Sequence, residues 1–145
     1  MTGTSYEEIY SRYRSRVKNY ELLDYDSATQ LAVQQDLLEM AIDDFSDICK
    51  QNLLDRDDDL ASFNITLTNQ EKKILSTSMI LHYVEPHVYD TDAFRNAMST
   101  KDFSFFSPAN LLEQMHSLLD KLTHQLQGEI NMYSFRQADI SSLTQ

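Results

Sequence analysis

The chain has 145 residues and a formal net charge of −11, so one domain with a single buried core is within reach, while nucleic-acid phosphates and anionic membrane surfaces are disfavoured partners. Two glycines and two prolines are too few for the turns of a sandwich or barrel, and Gly3 and Gly128 cannot assemble a phosphate-cradling loop. The lone Cys49 excludes an internal disulfide and a cysteine-rich metal site, the polar Met1–Glu8 is unlike a signal peptide, and no run approaches the ~18 apolar residues of a membrane span, so an intracellular product is expected.

Thr4 with Glu7 and Ser5 with Glu8 both have capping-box spacing, which predicts a helix starting near Thr4. Its stripe, Tyr6, Ile9, Tyr10, Tyr13, Val17 and Tyr20, has helical spacing. Tyr6, Tyr10 and Tyr13 are candidate protein-interface residues; the simpler alternative is that they bury their rings and keep their hydroxyls wet. Arg12, Arg14, Arg16 and Lys18 give this helix a local positive charge. Ser27–Gln30 is a second capping box, predicting a helix through Leu31, Gln34, Leu37, Leu38, Ala41, Ile42, Phe45, Ile48 and Cys49, with Asp36, Glu39, Asp43, Asp44 and Asp47 mostly opposite. Cys49 continues the apolar face and reads as a buried, unreactive thiol. Asp55, Asp57 and Asp59 imitate the opening of a calcium loop, but Leu60 stands where glycine is needed and Thr66 where the bidentate glutamate belongs. The expectation there is a solvated acidic turn or helix start.

Thr68 and Glu71 form a third capping box. The helix it opens, through Ile74, Leu75, Met79, Leu81, His82 and Tyr83, is apolar around most of its circumference and should be the most central; Pro86 is expected to end it. His82 reads as a core or boundary residue, and neither it nor His87 has zinc-site spacing. Thr91 or Asp92 should cap a short helix over Ala93–Met98. The stretch Lys101-Asp102-Phe103-Ser104-Phe105-Phe106 is a loop whose phenylalanines either plug the core or make a contact. Ser107-Pro108 is a helix start. The stripe from Leu111 to Tyr133 then predicts a helix of some 25 residues, ~37 Å, weakened at Gly128 by about 1 kcal/mol. The fold expected is all-α, a single-domain bundle of four to five helices over residues 1–136 with a long C-terminal helix, followed by a polar, flexible tail over 137–145.

No nucleophile–base motif or metal-ligand spacing is present, so the expectation is a protein without catalytic residues, cofactor or metal. Two non-enzymatic readings remain. One is an acidic DNA mimic or regulatory protein that binds a basic host protein. The other is a structural interaction protein, for which the tyrosine stripe, the phenylalanine loop and the long last helix offer apolar surface.

One series of residues points further. Asp55-Arg56-Asp57-Asp58-Asp59-Leu60-Ala61-Ser62-Phe63-Asn64 leads into Leu67-Thr68, Glu71, Ile74-Leu75 and Met79; then come Thr100-Lys101-Asp102-Phe103 and Phe106-Ser107-Pro108-Ala109-Asn110-Leu111-Leu112. This order resembles small helical proteins in the structural modules of tailed phages of Gram-positive bacteria, over roughly residues 5 to 135. The resemblance implies a head-to-tail connector (neck or adaptor) protein: a helical bundle that self-associates into a ring on the portal protein, meets other neck or tail proteins, and lets DNA pass non-specifically through its lumen. It implies a place in the virion neck, in the host cytoplasm during assembly, and no membrane. The docking elements it suggests are the polar tail and the segment containing Lys101, Asp102, Phe103, Phe105, Phe106 and Asn110.

Overall fold

A helix whose apolar residues leave no polar face must be enclosed by others, and the central helix is of that kind. The computed structural model describes residues 3–90, 92–93, 95, 98 and 108–143. In chain order the elements are α1 (Tyr6–Lys18), α2 (Tyr25–Ala28), α3 (Leu31–Phe45), β1 (Arg56–Asp57), β2 (Ser62–Phe63), α4 (Asn69–Tyr89) and α5 (Pro108–Leu143). Every residue from Ile74 to Ile80 is buried, and α1, α3 and α5 pack around α4. The facing stripes are Ile9, Tyr10, Tyr13 and Val17 of α1; Leu37, Leu38, Ala41, Ile42 and Phe45 of α3; and Leu111, Met115, Leu119, Leu122 and Tyr133 of α5. Gln34, the polar exception on the α3 stripe, is buried but satisfied: it accepts from Arg14 Nη1 at 2.9 Å and donates to the Thr29 carbonyl.

The capping signals divide. Ser5–Glu8 and Thr68–Glu71 both form complete capping boxes. Thr4 instead lies buried outside the helix, its hydroxyl accepting from the Leu67 N–H at 2.9 Å. The box expected at Ser27 does not form. Asp24 caps the one-turn α2, accepting from the N–H groups of Asp26 and Ser27, and α3 begins after Gln30 without a side-chain cap. An Asp ahead of the predicted start supplies a stronger acceptor and takes Ser27 into the helix.

Two further expectations are corrected and a third, left open between two readings, is decided. Pro86 does not end α4, which continues to Tyr89. A proline in the last turn removes one hydrogen bond, and burial of Val88, contact of the Tyr83 and His87 rings at 4.9 Å, and the Asp90 N–H to Pro86 carbonyl bond hold that turn in place. Of the two readings of the acidic run, the exposed turn forms and the helix start does not: residues 58–61 are the tip of a hairpin that pairs Arg56 with Phe63 and Asp57 with Ser62. Asp57 caps its turn by accepting from the N–H groups of Asp59 and Leu60, and Ala61 takes the positive φ of 50°. Finally, α5 has 36 residues and extends to Leu143, so the segment expected to be a flexible tail is largely helical backbone. The short helix expected over Ala93–Met98 lies mostly outside the described residues; at its start the Asp90 carboxylate accepts from the N–H groups of Asp92 and Ala93.

The N-terminal segment joins the hairpin as a third strand-like edge. Thr4 N–H donates to Ile65, Phe63 N–H to Thr4, and Tyr6 N–H to Ala61, at 2.8–2.9 Å. Gly3 sits so close to Phe63 that a Cβ there would overlap the Phe63 carbonyl. Gly3→Ala should therefore peel this segment off and cost on the order of 2 kcal/mol, read as a lower urea midpoint; an unchanged midpoint would show that the docking contributes nothing to stability.

Candidate functional site

The tyrosines expected at an interface are core residues. Tyr6, Tyr10 and Tyr13 are 6%, 3% and 0% exposed. Tyr6 stacks edge-on against Tyr10 and Phe63, and its hydroxyl donates to Asp58 at 2.7 Å. The Tyr13 hydroxyl is buried without a partner among the described residues, and burial raises its pKa well above the ordinary tyrosine value. Packing against α4 uses up the apolar surface of this stripe, so it has none to offer a partner. Asn110 is exposed in the first turn of α5. Lys101, Asp102, Phe103, Phe105 and Phe106 lie outside the described residues.

The polar cluster that spacing did not reveal is built on Glu71. This carboxylate is 2% exposed, in the first turn of α4, where the helix dipole favours negative charge. Its Oε1 accepts from the Thr68 N–H at 2.8 Å and the Gln51 amide at 2.7 Å; its Oε2 accepts from the Tyr133 hydroxyl at 2.9 Å and the Cys49 thiol at 3.2 Å. The Tyr133 hydroxyl in turn accepts from the Lys50 N–H at 2.8 Å, and its ring packs edge-on against Phe45. Burial alone would raise the Glu71 pKa. The hydrogen bonds from Thr68, Cys49, Tyr133 and Gln51 outweigh it, and the group titrates below the usual carboxylate range. One carboxylate thus ties together the start of α4, the loop after α3 and the middle of α5.

A thiol, a carboxylate and a phenol in contact resemble a reactive cluster, but the electrostatics oppose reactivity. Burial, followed by the hydrogen bond to the ionised Glu71, pushes the Cys49 thiol up to about 12. A thiol that donates to a carboxylate is held protonated, and the protonated form is not the nucleophile. Cys49 lies just past α3, not on it as periodicity suggested.

Elsewhere, a cavity of about 240 Å³ between α1, α3 and the hairpin is lined by Tyr6, Tyr10, Asp36, Glu39, Arg56 and Asp58, among others. Among the described residues no group of three or more His, Cys, Asp or Glu side chains is placed to hold a metal ion. Nor is any described helix long and apolar enough to cross a membrane. The outer face of α3 carries exposed Asp36, Glu39, Asp43 and Asp44, with exposed Asp47 just past its end; Asp44 pairs with His82 of α4.

Glu71→Ala should cost about 3 kcal/mol, because buried donors lose their acceptor, and Tyr133→Phe about 1–2 kcal/mol. Because the folded pKa of Glu71 lies below the unfolded one, its stabilisation is fully present above the unfolded carboxylate value of about 4.3 and fades as pH falls through the folded value; Glu71→Gln should flatten the urea midpoint over that acid range. Cys49 in the native protein should react with a disulfide reagent on the order of a thousandfold more slowly than in the urea-unfolded chain; comparable rates would mean that the thiol is not held protonated. Compared with protein-family models, curated proteins and solved structures, the chain matches none.

Proposed function

We propose that this chain is a structural assembly protein, a phage head-to-tail connector that forms a ring on the portal and links head to tail around the DNA channel. The observation that carries this reading is α5. Its 36 residues span about 54 Å at 1.5 Å per residue, whereas the 21 residues of α4 span about 32 Å. Tyr133 is the last buried side chain described on α5, and ten more helical residues follow it. Around this end Met132 and Phe135 are 50% and 63% exposed. A helix that outruns its own core and carries apolar residues outward suits a neighbouring subunit. The order of the Asp55–Asn64, Leu67–Met79 and Thr100–Leu112 segments, which resembles that of phage neck proteins, supplies the identity of the assembly. An acidic row turned to the lumen would repel DNA and let it slide.

The same acidic row favours a second reading, the acidic decoy. The four α3 carboxylates from Asp36 to Asp44 are spread over about 12 Å of helix, with Asp47 just beyond its end. Such a row fits a basic groove on a host protein.

Counting this chain against the portal by mass spectrometry of purified virions separates the two readings. The connector reading expects equal copy numbers, and expects Met132→Ser with Phe135→Ser to abolish ring formation while leaving the thermal midpoint within about 2 °C, as for exposed positions. Absence from virions, with the protein free in infected cells, would sink it in favour of the decoy.

A further inference from the structure

Within this acidic molecule one region gathers cations. Between α1, α4 and α5, a cavity of about 290 Å³ is lined by Arg12, Ser15, Arg16, Lys73, Ser76 and Gln125. Three cations and no carboxylate face it. It adjoins a wider groove of about 550 Å³ that shares Arg12, Lys73 and Gln125 and adds His124 and Arg136, with Glu129 as its one acid.

The arginines here differ from Arg14 and Arg56. Arg14 pairs with Glu7, and Arg56 lies 3.6 Å from Asp58. Arg12 and Arg16 have no carboxylate within ion-pair distance among the described residues; Arg12 donates to the Asn69 side-chain oxygen at 3.2 Å. Arg16 is held more firmly. Its Nη1 donates to Ser76 Oγ at 3.1 Å and to Thr77 Oγ1. Both hydroxyls spend their own protons on the Lys73 carbonyl, at 2.9 and 3.0 Å, so they can act only as acceptors toward the guanidinium. That fixes the plane of the Arg16 fork. Its other nitrogen, Nη2, is buried and meets no acceptor among the described residues.

A charged donor buried without an acceptor is costly, and a fixed guanidinium edge matches the oxygens of a tetrahedral anion. Two guanidinium groups without a carboxylate at ion-pair distance among the described residues, beside a lysine that Glu129 meets only at 3.8 Å, suit a group with more than one negative charge, which a phosphate carries and a single carboxylate does not. The space is also far larger than the ~30 Å³ share of one water. We propose that this cavity binds a phosphate-type oxyanion: the Arg16 and Arg12 guanidinium groups supply the directed donors, Lys73 the point charge, and the Ser15 hydroxyl a rim contact. Glu129 accepts from Gln125 at 3.2 Å and lies 3.8 Å from Lys73, so it competes with the anion for the lysine. The site stands apart from the connector reading and holds for any function of the chain.

Isothermal titration of the full chain with inorganic phosphate, beside sodium chloride of matched ionic strength, tests it. Stoichiometric phosphate heat is expected, weakened at least about tenfold, a loss of about 1.4 kcal/mol, in Arg12→Gln/Lys73→Gln and strengthened in Glu129→Gln. Arg16→Gln is avoided because it also strands Ser76 and Thr77. Thermal midpoints give a second readout. Phosphate raises the midpoint of proteins in general through exclusion from their surfaces, so the diagnostic quantity is the part of the rise, about 3 °C, that the double variant loses. Glycerol phosphate distinguishes the source: binding equal to that of inorganic phosphate marks a site for phosphate monoesters, and binding of inorganic phosphate alone marks a site for the free ion. No heat beyond the chloride control, or a midpoint rise fully retained by the double variant, overturns the proposal.

Discussion

The fold depends on a buried carboxylate that has no cation against it among the described residues. Glu71 is stabilised by four hydrogen bonds and the first turn of its own helix. An ionised group removed from water is tolerable only when its lone pairs are filled, so the requirement fixes its surroundings. Gln51 must come back across the loop, Cys49 must stop short of joining α3, and α5 must present Tyr133 at this depth. Apolar packing alone would tolerate sliding of one helix along another. The carboxylate removes that freedom, because a displaced α5 would leave the charge without its phenol.

The helices were legible because the chain is locally consistent: stripes with helical spacing and boxes at Ser5–Glu8 and Thr68–Glu71 mark α1, the body of α3, and α4 directly. The misreadings at Pro86 and the acidic run share one cause, a long-range contact overriding a local rule, whereas the Ser27 box is lost to the nearby Asp24 cap. Val88 is buried, so Pro86 can sit in the last helical turn instead of ending the helix. The edge formed by Thr4 and Tyr6 pairs with residues 61–65, so the acidic run forms the turn of a hairpin instead of starting a helix. The tyrosine stripe looked like a contact surface because tyrosine is amphipathic; Tyr13 at full burial shows that the ring decided its place and the hydroxyl followed. The Glu71 cluster could not be read from spacing at all. Its members are Cys49, Gln51, Thr68, Glu71 and Tyr133, and no local pattern links residue 49 to residue 133. The one available signal was Glu71 as the third residue of a capping box, a position that turns its carboxylate back toward the chain.

Charge is distributed as unevenly as apolar area. The exposed face of α3 is a row of acids, while Arg12, Arg16 and Lys73 meet where α1, α4 and α5 converge. The net value of −11 therefore describes no single face of the molecule. An acidic protein can hold a local anion site when its cations are fixed by hydroxyls instead of being neutralised by neighbouring carboxylates, as the Ser76 and Thr77 contacts to Arg16 illustrate.

The two halves of the Glu71 cluster also differ in the length of chain that separates them. The Thr68–Glu71 bond closes over three residues, whereas the Tyr133 bond closes over 62. Loop-closure entropy rises with the logarithm of that separation, and helix turns form faster than distant contacts. The cap thus closes first and sets a charged acceptor in place, which α5 then docks against. By the same measure α1 and the segment before it, whose bonds to Ser76 and Leu67 span 60 and 63 residues, and α5 all dock after the cap. The Tyr133 contact that seats α5 on that preset acceptor is also the one that orients the helix which outruns the core.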